Sequence, residues 1–515
     1  MTVNSDLIAS LVQREFYRLP SKRKPVVRDN GLREWVPLSG IVAEETNGRL
    51  TCLSLATGMK CLPSSKLSHA QGNVLHDWHA EILAIRAFNC FVLDECQALT
   101  TGSKSASEFI RRRSSTEMVA TPDSVADPDD SAGWHGQPFA WREDVLLHMY
   151  CSEAPCGDAS MELTMASQVD ATPWTATTIP QKEASPIAMT PESTAPLLGR
   201  AYFSQLGIVR RKPSRGDAPP TRSKSCSDKL SLRQCISLLS SLTSLVVSPD
   251  HAYISTLILP KSQYNASGCR RAFSDGQSQG DDDKEAGSQQ ARMAPLRNLS
   301  RGWGGGYRFQ PFRVKTTDFE FAFSRQSTTI SPLPSLLPFH SLSHSSPSSI
   351  ATLSPTDPSS GLKPKSRTAT SNLSTALTAS GREETTLNGV LHGRKAADAD
   401  IRGASFASRR RMWSLAVEVA SSLTEDKLKA SQTQDVQQAF GATASSASTS
   451  SSSVMASNTP TATRAEAESE TECRKTYADV KNTPLLEPRW HAKEAARRLA
   501  LKGWLRNTGD EGFAL

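Results

Sequence analysis

The chain has 515 residues, of which only 37% are hydrophobic and 6% aromatic, so much of it is expected to lie outside a single packed core. A net charge of +7 favours a polyanionic partner only weakly, whereas ten irregularly spaced cysteines with no secretion signal ahead of them exclude a disulfide framework and leave metal binding or buried thiols. The most apolar run, CISLLSSLTSLVV, is too short and too rich in Ser to span a bilayer, so an intracellular protein of cytoplasm or nucleus is expected.

In chain order, Leu7 to Tyr17 has a helical period, and WVPLSGIVAE and LTCLSLATGMKC read as consecutive strands. From His79 to Glu95 the apolar positions Ile82, Ile85, Phe88, Val92 and Leu93 define a helix that Asp77 is placed to cap. VLLHMYCS reads as a strand and APCGDASMELTMAS as a helix with Pro155 in its first turn. SCSDKLSLRQCISLLSSL reads as a turn into a helix, and AYISTLILP and TTDFEFAFSR as strands. Strands alternating with helices predict an α/β sandwich around one sheet.

Five segments rich in Ser, Thr, Pro, Gly or acidic residues, at about 99–138, 166–196, 274–298, 326–384 and 426–470, show neither period. Their apolar content is too low to offset ordering entropy, so they read as disordered insertions in one domain spanning 1–515. Basic clusters occur in PSKRKPVVR, GCRRAF, SRRRMW and ARRLALKGWLR.

The candidate chemistry begins at VLHDWHAEILAIRAF, where His79 and Glu81 are two residues apart at a helix start. A chain of this composition produces a His-x-acid triplet by chance, and an acid there is also favoured by the helix dipole alone. SEAPCGDAS changes the weighing, because Cys156 follows a proline just after a strand. Neutral imidazole and thiolate suit a zinc site with one open position, and a glutamate two residues from a ligand histidine can act as general acid and base without ligating. Nucleobase deaminases of zinc type carry H-x-E followed by P-C-x-x-C. Here Ala159 occupies the place of the second cysteine, and Cys226, in a turn before a helix, is the best candidate for the missing ligand. The remaining cysteines read as buried or inert thiols.

WHAE, PCGDAS and SCSDK in this order resemble the eukaryotic adenosine deaminases that act on RNA, and above all their tRNA-specific branch of fungal type. EWVPLSGIV, LATGMKCLP, LILPKSQYNASGCRRAF and GRKAADADIRGASFASRRRMW agree with that branch. The resemblance runs in patches from about residue 7 to the end. It implies a cytidine-deaminase-like three-layer sandwich around one mixed sheet. It further implies that His79, Cys156 and Cys226 bind Zn²⁺ and that Glu81 shuttles protons while an activated water replaces the amine at C6 of adenine. Lys60 matches a family lysine near the substrate phosphate, although Met59 stands where RNA-editing relatives carry threonine.

The family also buries inositol hexakisphosphate. The matching positions are Arg86, Lys229, Arg409, Tyr477, Lys481 and Trp504, with Arg506 aligned less securely and Ile85 in place of a frequent arginine. The deaminase pattern starts within the first 40 residues, without a duplex-RNA-binding module ahead of it. The implied substrate is therefore a tRNA, typically adenosine 37, just 3′ of the anticodon of tRNA-Ala. SKRKP and RRR are candidates to contact its phosphates. Rival readings are a catalytically inactive RNA-binding or assembly member, an editase of other RNAs, a free-nucleoside deaminase, and a purely structural zinc protein.

Overall fold

The computed structural model describes residues 3–118, 134–167, 197–198, 205–212, 218–277, 291–297, 299, 303–330, 368–394, 400–423, 430–441 and 475–515. The elements that carry the fold are α1 (Ser5–Tyr17), β1 (Leu38–Glu45), β2 (Leu50–Thr57), α2 (Ala80–Thr100), β3 (Val145–Cys151), α3 (Cys226–Ile236), β4 (Ile254–Pro260) and α4 (Ala266–Phe273). They are followed by β5 (Arg313–Thr317), β6 (Leu373–Thr378), β7 (Glu383–Leu387), β8 (Val390–Leu391), α5 (Arg409–Ser421) and α6 (Glu487–Leu499).

The eight strands form one mixed sheet in the order β5-β4-β3-β1-β2-β6-β7-β8. The pairs β3/β4 and β4/β5 are parallel, and every other neighbouring pair is antiparallel. Both faces are covered, which explains why these strands read as nearly continuous apolar runs. Ile41 and Ala43 of β1, Leu147 and Met149 of β3, and Leu257 and Leu259 of β4 join Phe88 and Val92 of α2 in one core. The alternate residues Val42, Tyr150 and Ile258 pack with Ile8, Val12 and Phe16 of α1 in another. Such alternation is the period-two signature of a strand buried on both sides. A bulge at Ile41/Val42 shifts the β1/β2 register, so Leu53 faces the first core and Leu55 the second. Helix α1 lies close because β1 has Gly40 beneath it: a Cβ there would come within 2.6 Å of Val12 Cγ1.

Three small sheets of two, three and two strands accompany the main sheet among the described residues, beyond the one sheet expected. TTDFEFAFSR is not a strand throughout. β5 ends at Thr317, and Phe321 and Phe323 leave the sheet to cluster around Phe16, with ring centroids 5.1 and 5.8 Å away. Aromatic packing on α1 replaces the ladder there.

Residues 119–133, 168–196, 278–290, 331–367 and 442–470 lie outside the described residues, and the expectation for those parts of the five insertions rests on sequence alone. The flanks of the insertions belong to the fold. Ile110–Arg112 is a strand of the three-stranded sheet, Ala294–Leu296 a helical turn and Ala430–Phe440 a helix. β6, inside the span read as 326–384, pairs with β2 in the main sheet. Its composition hid it, because Ser374, Thr375 and Thr378 are buried and bonded, Thr375 N–H for instance donating to Thr57 Oγ1 at 3.0 Å.

Arginines of two of the basic clusters are engaged by other parts of the protein. Arg271 of GCRRAF is buried in ion pairs with Asp158 and Glu162. In SRRRMW, Arg409 donates to Asp510 O at 2.7 Å, Arg410 to Gln71 O at 3.2 Å and Arg411 to Ile401 O at 3.1 Å. The three arginines thus bond to backbone carbonyls of the protein, while Arg411 stays exposed. No helix among the described residues is long and apolar enough to cross a membrane.

Candidate metal centre and active site

The loop after β2 and the start of α2 are built as one unit. Gly58, at φ +138°, turns the chain under Trp78 and Ser374, where a Cβ would meet Trp78 O at 2.2 Å. Ala80 N–H then donates to Gly58 O at 2.9 Å and Trp78 N–H to Lys60 O at 3.0 Å, while Cys61 and Asp77 form an isolated antiparallel bridge. These ties hold His79 as the extended residue that opens α2 and place Glu81, buried, in its first turn. Asp77 does not cap the helix by its side chain as expected; one carboxylate oxygen accepts from His79 N–H at 3.0 Å and the other is engaged elsewhere.

Cys156 lies in the loop after β3, and Cys226 is the first residue of α3, capped by Ser225. Pro155 is not in a first helical turn, because the helical turn begins only at Asp158. The helix N-terminus that serves Cys156 is that of α3, whose Cys226 N–H donates to Cys156 Sγ at 3.3 Å. Ser227 closes the junction, its N–H donating to Cys156 O at 3.0 Å and its hydroxyl to Pro155 O at 2.9 Å.

His79, Cys156 and Cys226 present ligand atoms that all lie within 4.8 Å of one another, with His79 Nδ1 3.9 Å from Cys156 Sγ. Metal–ligand bonds of ~2.0–2.3 Å in a tetrahedron put ligand atoms ~3.5–3.8 Å apart, so one imidazole and two thiolates at these distances fit Zn²⁺ with a fourth position left for water. The charges agree. Hydrogen bonding from Cys226 holds the Cys156 thiol well below its ordinary range, helped against burial by the Lys212 ammonium and His79. Burial, and then the charge on Cys156, push Cys226 up. Burial and Lys212 oppose a proton on His79, yet the Cys156 thiolate and Cys61 outweigh them and lift it to about 10. A divalent cation held by these groups would replace that proton and neutralise both thiolates. Burial raises the Glu81 carboxyl above its ordinary value of 4.5, against the attraction of His79.

Sequence reasoning missed what lies behind the ligands. Lys212, buried, donates to Cys226 Sγ at 3.2 Å and to Asp77 Oδ2 at 2.9 Å. The same oxygen accepts from Ser223 Oγ at 2.6 Å and from Lys229 Nζ. A lysine within VRRKP has no sequence mark that separates it from a surface charge. Cys61, read as an inert thiol of a strand, forms a second close group with Asp77 and His79. Lys60 Nζ donates to Asn372 Oδ1, and burial together with Arg28 lowers its pKa.

The residues expected to hold a polyphosphate are partly buried, apart from the buried Tyr477, and several of them gather around two aromatic rings. Arg409 and Lys481 lie over the Tyr477 ring at 5.6 and 5.7 Å, and Lys224 and Arg497 over Trp504 at 5.2 and 5.6 Å. Arg86 donates to Ala407 O at 2.6 Å, and Tyr477 and Arg409 are among the groups that act on its charge. Lys224, Lys493 and Arg497 were not foreseen. Burial, then Lys229 and Arg497, bring Lys224 down to about 7. Burial, then Arg489, Lys481, Arg497 and Arg233, drive Lys493 well below the lysine range, and it has no hydrogen-bond or ion-pair partner among the described residues. Arg506 is 74% exposed beside Glu494.

Residues 54–285 match the adenosine-deaminase (editase) domain. The chain is 36% identical over 322 residues to tRNA-specific adenosine deaminase 1 of Schizosaccharomyces pombe, covering 62% of this chain and 70% of that protein. Against tRNA-specific adenosine deaminase 1 of Saccharomyces cerevisiae it is 34% identical over 239 residues, 46% of this chain and 53% of the relative. The double-stranded RNA-specific editase B2 of mouse is 27% identical over 159 residues, 30% of this chain and 18% of that protein. The chain belongs to the adenosine-deaminase (editase) family. It is a deaminase, a hydrolase acting on a C–N bond.

Proposed function

We propose that the protein converts adenosine to inosine in tRNA, at the adenosine just 3′ of the anticodon of tRNA-Ala, with Zn²⁺ held by His79, Cys156 and Cys226. The observation that carries this reading is the buried Glu81 beside a triad of three ligand atoms, one short of a tetrahedral set. Bound there, Zn²⁺ supplies the Lewis acidity that lets a water ionise near neutral pH. Glu81 takes a proton from the attacking water and delivers it to N1 of adenine, then takes the proton of the new C6 hydroxyl and passes it to the amine as the C–N bond breaks, so that adenosine and water give inosine and ammonia. Burial of Glu81 supports this role, because a raised carboxyl gives up its proton closer to neutrality. Lys60, which matches a family lysine near the substrate phosphate, is proposed to meet an RNA phosphate.

Inositol hexakisphosphate fits the interior cations, with Arg86, Lys229, Arg409, Lys481 and the unpredicted Lys224 and Lys493 as its donors. Lysines lowered by burial, and then by neighbouring cations, are costly without a counter-charge and are stabilised by a polyanion. The test is inosine mapping of tRNA in a strain lacking the gene. The expected result is adenosine at the position 3′ of the tRNA-Ala anticodon, restored to inosine by the wild-type gene and not by Glu81→Gln. Persistence of inosine in the deletion strain contradicts the reading.

A further inference from the structure

Both cysteine ligands are followed two residues later by an aspartate, in Cys156-Gly157-Asp158 and Cys226-Ser227-Asp228, and both aspartates are fully buried. Each is held by a buried arginine. Arg271 Nε lies 3.1 Å from both oxygens of Asp158, its Nη2 donates to Asp158 O at 2.8 Å, and its Nη1 reaches Glu162 at 2.5 Å. Arg292 Nη1 donates to Asp228 Oδ1 at 2.6 Å, while the other oxygen accepts from Ser225 Oγ at 2.6 Å and Arg210 N–H at 2.8 Å. The two arginines are joined: Arg292 N–H donates to Arg271 O at 3.2 Å and Arg292 Nε to Ala272 O at 3.0 Å.

When two cysteine ligands sit on one helix, the helix fixes their separation. Here Cys156 and Cys226 come from segments 70 residues apart, so contacts between the segments must fix it. The planar guanidinium is suited to that task, because its fork sets orientation as well as distance. Gly157, at φ +109°, leaves no slack, since a Cβ there would lie 2.2 Å from Ser225 Oγ.

We infer that Arg271 and Arg292 are positioning residues of the metal centre: by clamping Asp158 and Asp228 they set the separation and orientation of Cys156 and Cys226 without touching metal or substrate. This rests on the zinc reading given above. Arg292 enters from the far side of residues 278–290, which makes the end of that insertion part of the site.

The test compares Arg271→Met, Arg292→Met and Arg292→Lys with Phe16→Ala, a core variant in the α1 cluster away from the site. Two quantities are read on the zinc-loaded and cobalt-substituted proteins: the rate of zinc transfer to a chromogenic chelator, and the visible spectrum of bound Co²⁺, which reports ligand geometry. The methionine variants are expected to release zinc about ten times faster or more and to change the Co²⁺ spectrum, with partial recovery in Arg292→Lys. Phe16→Ala is expected to lose thermal stability while keeping both readouts. If the methionine variants match Phe16→Ala in zinc release and spectrum, the arginines are merely structural and the inference fails. Should they not fold, Asp158→Asn and Asp228→Asn, which keep side-chain shape, decide on the same readouts. Wild-type protein that binds no zinc overturns the zinc reading instead, so the two failures are distinct.

Discussion

A carboxyl buried beside two thiols and an imidazole is suited to the proton-carrying role proposed for it, and Glu81 holds its proton more tightly than an exposed glutamate does. Because the attacking water gives its proton to the carboxylate form, kcat/KM is expected to fall as pH drops through the raised value, with an acid limb above the ordinary 4.5. Glu81→Gln should lower the rate by ~10²–10⁴-fold and abolish that limb, which a pH profile of inosine formation checks. Lys212 acts one step behind. Replacing it by Met leaves Asp77 with fewer cations and Cys226 without its donor, so zinc affinity should weaken ~10–100-fold in a chelator competition. His79, Glu81, Cys156 and Cys226 were legible in the sequence because three short motifs in one order specify a known chemistry. Lys212 was not, since its burial depends on Asp77 arriving from 135 residues away.

At the scale of elements, the site is the meeting of two helix N-termini, α2 bringing His79 and Glu81 and α3 bringing Cys226 to Cys156. The tightest point of that meeting is Gly157, where Ala brings both backbone strain and a collision with Ser225. Gly157→Ala is expected to cost ~1–3 kcal/mol of stability in denaturant unfolding and to lose zinc ahead of global unfolding. Alternation and apolar runs exposed α1, β1 to β4, α2 and α3, whose burial is set by local pattern. β6 stayed hidden because its Ser and Thr side chains find partners only after β2 is in place, and TTDFEFAFSR misled because its aromatics pack on α1 rather than in a ladder.

Across the whole molecule, charge is arranged from the inside. Arg271 and Arg292 answer buried aspartates, whereas Lys481 lies over Tyr477 and acts on Lys493, and Lys224 lies over Trp504. With a polyphosphate between them, Lys493→Met removes a charged hydrogen bond and should lower stability by roughly 1.5–3 kcal/mol. In an empty interior the same change would relieve repulsion and raise Tm, so thermal unfolding of this variant separates the two cases. Mass spectrometry of denatured protein should release inositol hexakisphosphate in the first case alone. The interior cations were only partly legible, because a lysine or arginine in a basic run looks alike whether it points out, as Arg506 does, or in, as Arg497 does. The central claim is deamination through Glu81 beside a His79, Cys156 and Cys226 metal site. It is tested most directly by incubating purified zinc-loaded protein with a tRNA-Ala transcript and mapping inosine by mass spectrometry. The account predicts inosine 3′ of the anticodon with wild-type protein and none with Glu81→Gln, and equal inosine with both proteins, or none with either, would contradict it.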